Sequence, residues 1–213
     1  MVFRIVSSVF KTLLAGGTLL LVSCGSSTTI IDSWKDPDAK PFAFKKVVAI
    51  AVLPDETNRR ITEDQICKNV KNPAIDCVRS WTIIPQDRAS DLEFAKARIA
   101  EGGFDGVIMM RLVGLDEKTR TVTTGYVASY AVTPYYNSFS GYYSYAWPRV
   151  YSQSSTDVNQ LVRVETNFYS VKEQKLLWSG VSETMDPTSI RDMVDDIASE
   201  TVAILRDNGL LAN

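Results

Sequence analysis

The sequence predicts an α/β (α+β) fold with a single mixed β-sheet. Its elements follow the order β-α-β-α-β, then a β-hairpin, then an α-helix, with the helices packed against the sheet. Two patterns carry this prediction. Residues 47–53 are seven consecutive apolar side chains, which is typical of a strand buried on both faces. Residues 161–170 alternate apolar and polar side chains, as a half-buried strand does.

The remaining elements are predicted from periodicity and from the residues that end helices. The pair Gly102 and Gly103 marks a helix end. The last helix opens at residues 186–189, and its apolar side chains recur every three or four positions. In chain order we expect a helix over 56–70, a strand over 78–85, a helix over 90–101, a strand over 106–113, and a hairpin over 161–181 that turns at 172–174.

The composition argues against several classes of function. The 213 residues include 23 basic and 25 acidic side chains, for a net charge of −2, and nucleic-acid binding depends on clustered basic residues. The sequence contains no histidine, which removes the commonest general base, every imidazole-dependent triad and most catalytic zinc sites. No phosphate-binding loop or dinucleotide fingerprint is present. We therefore expect a protein that is not an enzyme and has no metal, no cofactor and no nucleic-acid partner.

The first residues have the features of an export signal. Arg4 and Lys11 precede an apolar run over 12–22, which is shorter than the roughly 20 residues that cross a membrane. A basic start, a short apolar stretch and small residues at its end predict a secretory signal over 1–23. The last three residues of this region, Leu-Val-Ser over 21–23, and the following Cys24 together look like a bacterial lipobox. The alternatives are an ordinary signal peptide and a buried cysteine.

The lipobox resemblance implies a location. The signal peptide would be removed before Cys24, and Cys24 would then be acylated, for example with palmitate, on its sulfur and on its new amino terminus. Several acyl chains anchor a protein stably. Because Gly25 follows it rather than Asp, the resemblance implies the outer membrane, with the periplasmic face expected. The expected organisation is a signal peptide over 1–23, a lipidated tether over 24–33, and one α/β domain over 34–213 with a Tyr-rich insertion at about 115–160.

Two further cysteines, Cys67 and Cys77, remain in the mature chain. The oxidising periplasm permits a disulfide between them, and the alternative is a pair of buried free thiols. Their spacing is not that of a C-x-x-C redox motif, so we expect a structural role in either case.

A Tyr-rich segment over 126–151 is the least ordinary part of the sequence. It holds eight of the nine tyrosines, and Arg149 is its only charged residue. Tyrosine among Ser and Gly is typical of binding loops, which makes this segment the candidate recognition surface. The alternatives are a surface loop without a binding role and a membrane hairpin from residues 120–155. The candidate residues are Tyr126, Tyr130, Tyr135, Tyr136, Tyr142, Tyr143, Tyr145, Trp147 and Tyr151.

Three short motifs resemble a family of bacterial outer-membrane lipoproteins of unknown function. They are SWKDP at 33–37, GFDG at 103–106, and NFYS at 167–170 leading to KLLWSG at 175–180. The element order is similar to the periplasmic domains of curli-secretion lipoproteins, penicillin-binding-protein activator lipoproteins and the TolB amino-terminal domain.

From these features we expect a non-catalytic binding or assembly module, whose partners are envelope proteins, glycan or further copies of the chain. The alternative is an oligomeric outer-membrane secretion or pore component.

Overall fold

Six strands form one mixed sheet in the order β1-β6-β5-β4-β2-β3 in the computed structural model, which describes residues 27–70, 72–117, 137–150 and 160–211. The predicted fold class, a single mixed sheet with helices packed against it, is confirmed. The strands are β1 (Ser27–Lys35), β2 (Lys46–Val52), β3 (Asp76–Arg79), β4 (Gly106–Glu117), β5 (Gln160–Ser170) and β6 (Lys175–Met185). The helices are α1 (Glu56–Asn69), α2 (Leu92–Glu101), α3 (Phe139–Val150) and α4 (Ile190–Asp207).

The sheet has a parallel half and an antiparallel half that meet at β4. β4 runs parallel to β2, which runs parallel to β3, whereas β4 pairs antiparallel with β5. β6 pairs antiparallel with both β5 and β1. We call the end of the sheet where β2, β3, β4 and β6 stop, and where β1 and β5 start, its carboxyl end. The opposite end, which carries the β5–β6 turn, is its amino end.

Both faces of the central strands are covered by helices. Because successive side chains of a strand point to opposite faces, Val107 and Met109 pack on one side of β4, and Ile108 and Met110 pack on the other. The first side packs against α2 and α3, and the second side packs against α1 and α4. This double burial explains why the sequence of β2 is continuously apolar rather than alternating.

The prediction of a tether over 24–33 is wrong for residues 27–33, which belong to β1. Ser27 lies opposite Met185 and Lys35 lies opposite Trp178 along β6. The pairing register shifts between Ile30 and Asp32, so the strand carries a bulge at this point. Its polar sequence resembles a linker because β1 is an edge strand that is half exposed.

The strand predicted over 78–85 is also shorter than expected. β3 ends at Arg79, and the chain then turns through a 3-10 helix over Ser80–Thr82. This turn presents two donors to the buried carboxylate of Glu63: Oε1 accepts from Ser80 Oγ at 2.6 Å and Oε2 accepts from the Trp81 backbone N–H at 2.8 Å. The buried Glu63 carboxylate requires these two hydrogen-bond donors, and this requirement outweighs the strand propensity of residues 80–85.

Glu63 is half of a buried ion pair that fastens α1 to the sheet. The Arg59 Nε lies 3.0 Å from Glu63 Oε1, and both side chains are almost fully buried. Arg59 also donates to Ser80 Oγ at 2.8 Å and to the Ile84 carbonyl at 3.0 Å, and Glu63 accepts from the Ala51 N–H at 3.1 Å. Burial raises the pKa of Glu63, while the adjacent guanidinium acts in the opposite direction.

The structure joins Cys67, near the end of α1, to Cys77 in β3 by a disulfide bond. The bond closes a loop of about 11 residues, for which chain entropy gives a stabilisation of about 2.8 kcal/mol. It holds the start of β3 against the end of α1, at the amino end of the sheet.

We expect the Glu63→Gln substitution to lower the free energy of unfolding by about 3–5 kcal/mol, because it leaves Arg59 as an uncompensated buried charge. Urea denaturation followed by circular dichroism measures this loss. Asp64→Asn is the matched control: the Asp64–Arg79 pair, at 2.9 Å, is half exposed and should cost less than about 1 kcal/mol. Equal losses for the two variants would contradict the role given to Glu63.

Candidate functional site

The structure describes the backbone and the side chains of three of the candidate recognition tyrosines. Tyr142, Tyr143 and Tyr145 belong to α3, and Trp147 lies further along the same helix. The other predicted residues fall outside the described residues: Cys24, Tyr126, Tyr130, Tyr135, Tyr136 and Tyr151.

The structure corrects the prediction for two of these tyrosines. Tyr142 and Tyr143 are fully buried and belong to the hydrophobic core on the α2/α3 side of the sheet, so they are not part of an exposed recognition surface. The alternative prediction of a membrane hairpin from residues 120–155 is also wrong for its second arm, because residues 139–150 are helical. Tyr145 is partly buried and packs against the same core.

The spacing of the aromatic residues in α3 explains why this segment is a helix. Phe139, Tyr142 and Tyr143 stand at positions i, i+3 and i+4, which lie on one face of a helix. The rings of Phe139 and Tyr143 meet edge to face at 5.4 Å, and the Tyr143 hydroxyl donates to the Ala89 carbonyl. This spacing was the available signal in the sequence, but the surrounding Ser, Gly and Pro residues, all weak helix formers, obscured it.

A buried polar cluster ties α3 to the sheet. Arg111 of β4 and Glu165 of β5 are direct neighbours across the two strands and are 6% and 2% exposed. The Arg111 Nη2 lies 3.1 Å from Glu165 Oε2, and the Arg111 Nε donates to the Tyr142 hydroxyl at 3.1 Å. The Tyr142 hydroxyl in turn donates to Glu165 Oε2. We call these three residues the Arg111 cluster.

The protonation states in the Arg111 cluster follow from burial and charge. Burial raises the pKa of Tyr142, and the negative charge of Glu165 raises it further. Burial opposes the charge on Arg111, but Tyr142 and Glu165 outweigh it and raise the Arg111 pKa. At neutral pH the cluster is therefore an arginine cation and a neutral phenol that both donate to one carboxylate. All three groups are buried and form hydrogen bonds with one another. The cluster therefore positions α3 and offers no reactive group to solvent.

A cleft of about 350 Å3 lies on the other face of the sheet, at its carboxyl end. Its walls are the first turns of α1 and α4, and its floor is formed by β2, β4 and β5. We call it the α1/α4 cleft. Its lining is mainly apolar: Ala51, Leu53, Met110, Leu112, Leu115, Val162, Val164, Pro187, Ile190, Met193, Val194 and Ile197, together with Asn58, Thr62, Arg111 and Ser189. Clefts at the carboxyl ends of parallel strands are the usual ligand positions in open α/β sheets.

Polar contacts hold the two wall helices together beyond the cleft. The Asp195 carboxylate of α4 accepts from Gln65 Nε2 and, at 2.5 Å, from Asn69 Nδ2, both on α1. Lys68 lies 3.8 Å from the same carboxylate. These residues follow the cleft-lining positions of α1 toward the amino end of the sheet. The helices are therefore bridged at one end, and the cleft lies between them at the other.

Several chain segments meet at the carboxyl end of the sheet. Glu117, the last residue of β4, pairs with Gln160, the first residue of β5, so both ends of the connection that holds the Tyr-rich segment lie here. Ser27, the first residue of β1, lies opposite Met185, which is 41% exposed. The mouth of the α1/α4 cleft lies at the same end. The described residues thus place the first residue of β1, the two ends of this connection and the cleft together. The start of α3 lies at the amino end instead, where the Asn137 carbonyl accepts from the Leu176 N–H at 3.2 Å.

The part of the chain that the structure describes contains no group of three or more His, Cys, Asp or Glu residues able to hold a metal ion. None of its helices combines the length and the apolar character that a membrane span requires.

No protein-family profile and no curated protein sequence matches the chain. Among solved structures, it resembles two dodecamers of PelC from Paraburkholderia phytofirmans, one of them a point variant. The variant gives a TM-score of 0.41 at 10% identity, over 87% of this chain and 97% of that chain. The other gives a TM-score of 0.39 at 13% identity, over 88% and 99%. At these scores the likeness supports no statement about function or assembly.

The Arg111 cluster predicts a specific pH dependence for Tyr142→Phe. The substitution removes a buried hydrogen bond to a charged group, so it should cost about 1.5–3 kcal/mol near neutral pH. Because the pKa of Tyr142 in the folded protein lies above its ordinary value of 10.0, its contribution is complete below about pH 10 and is lost as the pH rises through the folded-state pKa.

Urea denaturation of both proteins at about pH 8 and above about pH 10 measures the difference in stability at each pH. We expect the gap between wild type and variant to narrow at the higher pH. Titration of the other tyrosines is common to both proteins and cancels. A gap that stays constant would contradict the buried, carboxylate-bound state of the phenol.

Proposed function

We propose that this chain is a lipid-anchored envelope protein that acts as a non-catalytic binding and assembly module at the periplasmic face of a bacterial outer membrane. Acyl chains on Cys24 hold it there, and it needs no other cofactor. One observation carries the proposal: β1 begins at Ser27, only three residues after Cys24, and it begins at the carboxyl end of the sheet. That end is therefore the part of the domain nearest to the proposed attachment point.

The geometry of the carboxyl end supports a role in recognition close to the membrane. Met185, an exposed apolar side chain, lies there, and so do Glu117 and Gln160, the two ends of the connection that holds the Tyr-rich segment. Exposed apolar side chains suit protein surfaces and membrane interfaces. With Tyr142 and Tyr143 assigned to the core, the proposed recognition residues are Tyr126, Tyr130, Tyr135, Tyr136, Tyr145, Trp147 and Tyr151. The proposed partners are envelope proteins, glycan or further copies of this chain.

A non-catalytic role is supported by how the buried charged groups are used. The carboxylates of Glu63 and Glu165 are each occupied by arginine and by hydroxyl donors that hold elements of the fold together. The α1/α4 cleft is lined by one charged residue, Arg111, and its guanidinium is bound to Glu165 and Tyr142. With no histidine in the sequence, neither place provides a nucleophile paired with a base.

The lipid anchor is tested by metabolic labelling with an alkyne fatty acid followed by in-gel fluorescence. We expect the wild-type protein to carry the label and Cys24→Ala to lose it, because the lipobox cysteine is the proposed acylation site. The Cys67→Ser/Cys77→Ser double variant is the matched control and should keep the label, since neither cysteine follows a lipobox. An unlabelled wild-type protein, or label retained by Cys24→Ala, would refute the proposed anchor.

The proposed orientation is tested with a photoreactive amino acid placed at two exposed positions in living cells. At Met185, on the carboxyl end of the sheet, we expect adducts with membrane lipid or with membrane-bound envelope proteins. At Glu173, in the β5–β6 turn of the amino end, we expect such adducts to be several-fold fewer. Gel mobility and mass spectrometry of the adducts give the readout. Equal adducts at both positions would show that the carboxyl end does not face the membrane.

A further inference from the structure

We propose that the α1/α4 cleft binds a hydrocarbon chain, and that its occupant is one of the acyl chains on Cys24 of the same molecule. This inference rests on the proposed function, since it needs the lipid on Cys24. It assigns a binding site to a part of the fold that the Tyr-rich segment does not include.

The lining of the cleft matches the chemistry of an alkyl chain. Met110, Val162 and Val164 of its floor and Ile197 of its α4 wall are all buried apolar side chains. The side chains of Leu112, Leu115, Ile190 and Met193 are only partly covered. An alkyl occupant would complete their burial, at about 25 cal/mol for each Å2 of apolar surface removed from water.

The same lining disfavours a charged or polar ligand. Arg111 is the one charged residue among those that line the cleft, and its guanidinium contacts Glu165 and Tyr142. The volume of about 350 Å3 lies at the small end of the usual range for ligand pockets, about 300–1,000 Å3. A single extended chain fits this size and lining better than a head group or a sugar does.

The cleft is open to an acyl chain at the carboxyl end of the sheet, which is the end nearest to Cys24. Asp195, bonded to Gln65 and Asn69, bridges the wall helices toward the amino end of the sheet. At the carboxyl end the walls are Asn58 in the first turn of α1 and Ser189 at the start of α4. A chain would therefore enter from the carboxyl end.

The position of Ser27 puts Cys24 within reach of this entrance. Ser27 lies opposite Met185, and Pro187 and Ser189, only a few residues further along, already line the cleft. The three residues from Cys24 to Ser27 span at most about 11 Å. The distance across the sheet from β1 to the floor strand β5 is two strand spacings, about 10 Å. A short tether of this kind gives an effective concentration in the millimolar range, so modest affinity is enough to fill the cleft.

The proposal is tested by loading Cys24 with a photoreactive diazirine fatty acid in growing cells. The full-length lipidated protein is purified into phospholipid vesicles, irradiated and mapped by peptide mass spectrometry. We expect adducts within single molecules on the peptides that contain Leu112, Leu115 or Met193. Adducts only on phospholipid, only on peptides outside the cleft, or only between two copies would overturn the proposal.

A matched pair of variants shows whether the cleft itself holds the chain. Met193→Trp fills the cleft and should reduce the cleft adducts about tenfold, which corresponds to about 1.4 kcal/mol of lost binding. Ile31→Trp introduces the same side chain at an exposed apolar position outside the lining and should leave the adducts unchanged. Thermal unfolding checks that both variants fold, and Leu115→Trp replaces Met193→Trp if that variant does not. Unchanged adducts in a folded cleft variant would overturn the proposal.

The experiment separates the failure of this inference from the failure of the proposed function. If Cys24 carries no diazirine lipid, the lipid anchor is refuted and the occupant is lost with it. If Cys24 carries the lipid but the cleft peptides carry no adduct, the anchor stands and the occupancy of the cleft is refuted.

Discussion

The buried pair of Arg111 and Glu165 joins the two halves of this sheet. Arg111 lies on β4, the last strand of the parallel half, and Glu165 faces it from the antiparallel half. A buried ion pair is costly unless its remaining hydrogen-bonding positions are filled, and the Tyr142 hydroxyl fills one of them. Since Tyr142 belongs to α3, the electrostatic requirement of the sheet determines where this helix docks. The burial of Tyr143 and the position of the rest of α3 follow from that contact.

The predictable parts of the fold are the segments whose own pattern of apolar and polar residues identifies their secondary structure. The apolar run of β2, the alternation of β5 and the amphipathic stripe of α4 each reflect burial on known faces, and the structure contains all three. β1 and α3 were missed because their stability comes from partners distant in sequence. β1 is a polar strand that forms by pairing with β6, and α3 is a helix of weak formers that forms by burying tyrosines.

The candidate site was less predictable for a related reason. The α1/α4 cleft is assembled from α1, α4 and three strands, and residues such as Leu112, Val164 and Met193 are typical of core positions in the sequence. Only their arrangement leaves space between two helices that Asp195 bridges at one end. The Tyr-rich segment, in contrast, was conspicuous in composition, yet part of it serves the interior. Composition thus indicated an unusual segment without distinguishing an aromatic surface from an aromatic core.

The bulge in β1 has a consequence for molecules that share a membrane. Copies held by the proposed lipid anchor would be confined to two dimensions, where encounters are frequent, and a regular outer strand would offer free backbone groups to each neighbour. The break in register between Ile30 and Asp32 interrupts that pattern, and Asp32 and Lys35 add charge beside it. Continuous sheets running from one molecule to the next are therefore disfavoured. Under the proposed anchoring, each copy would then stay available for contacts made by its other surfaces.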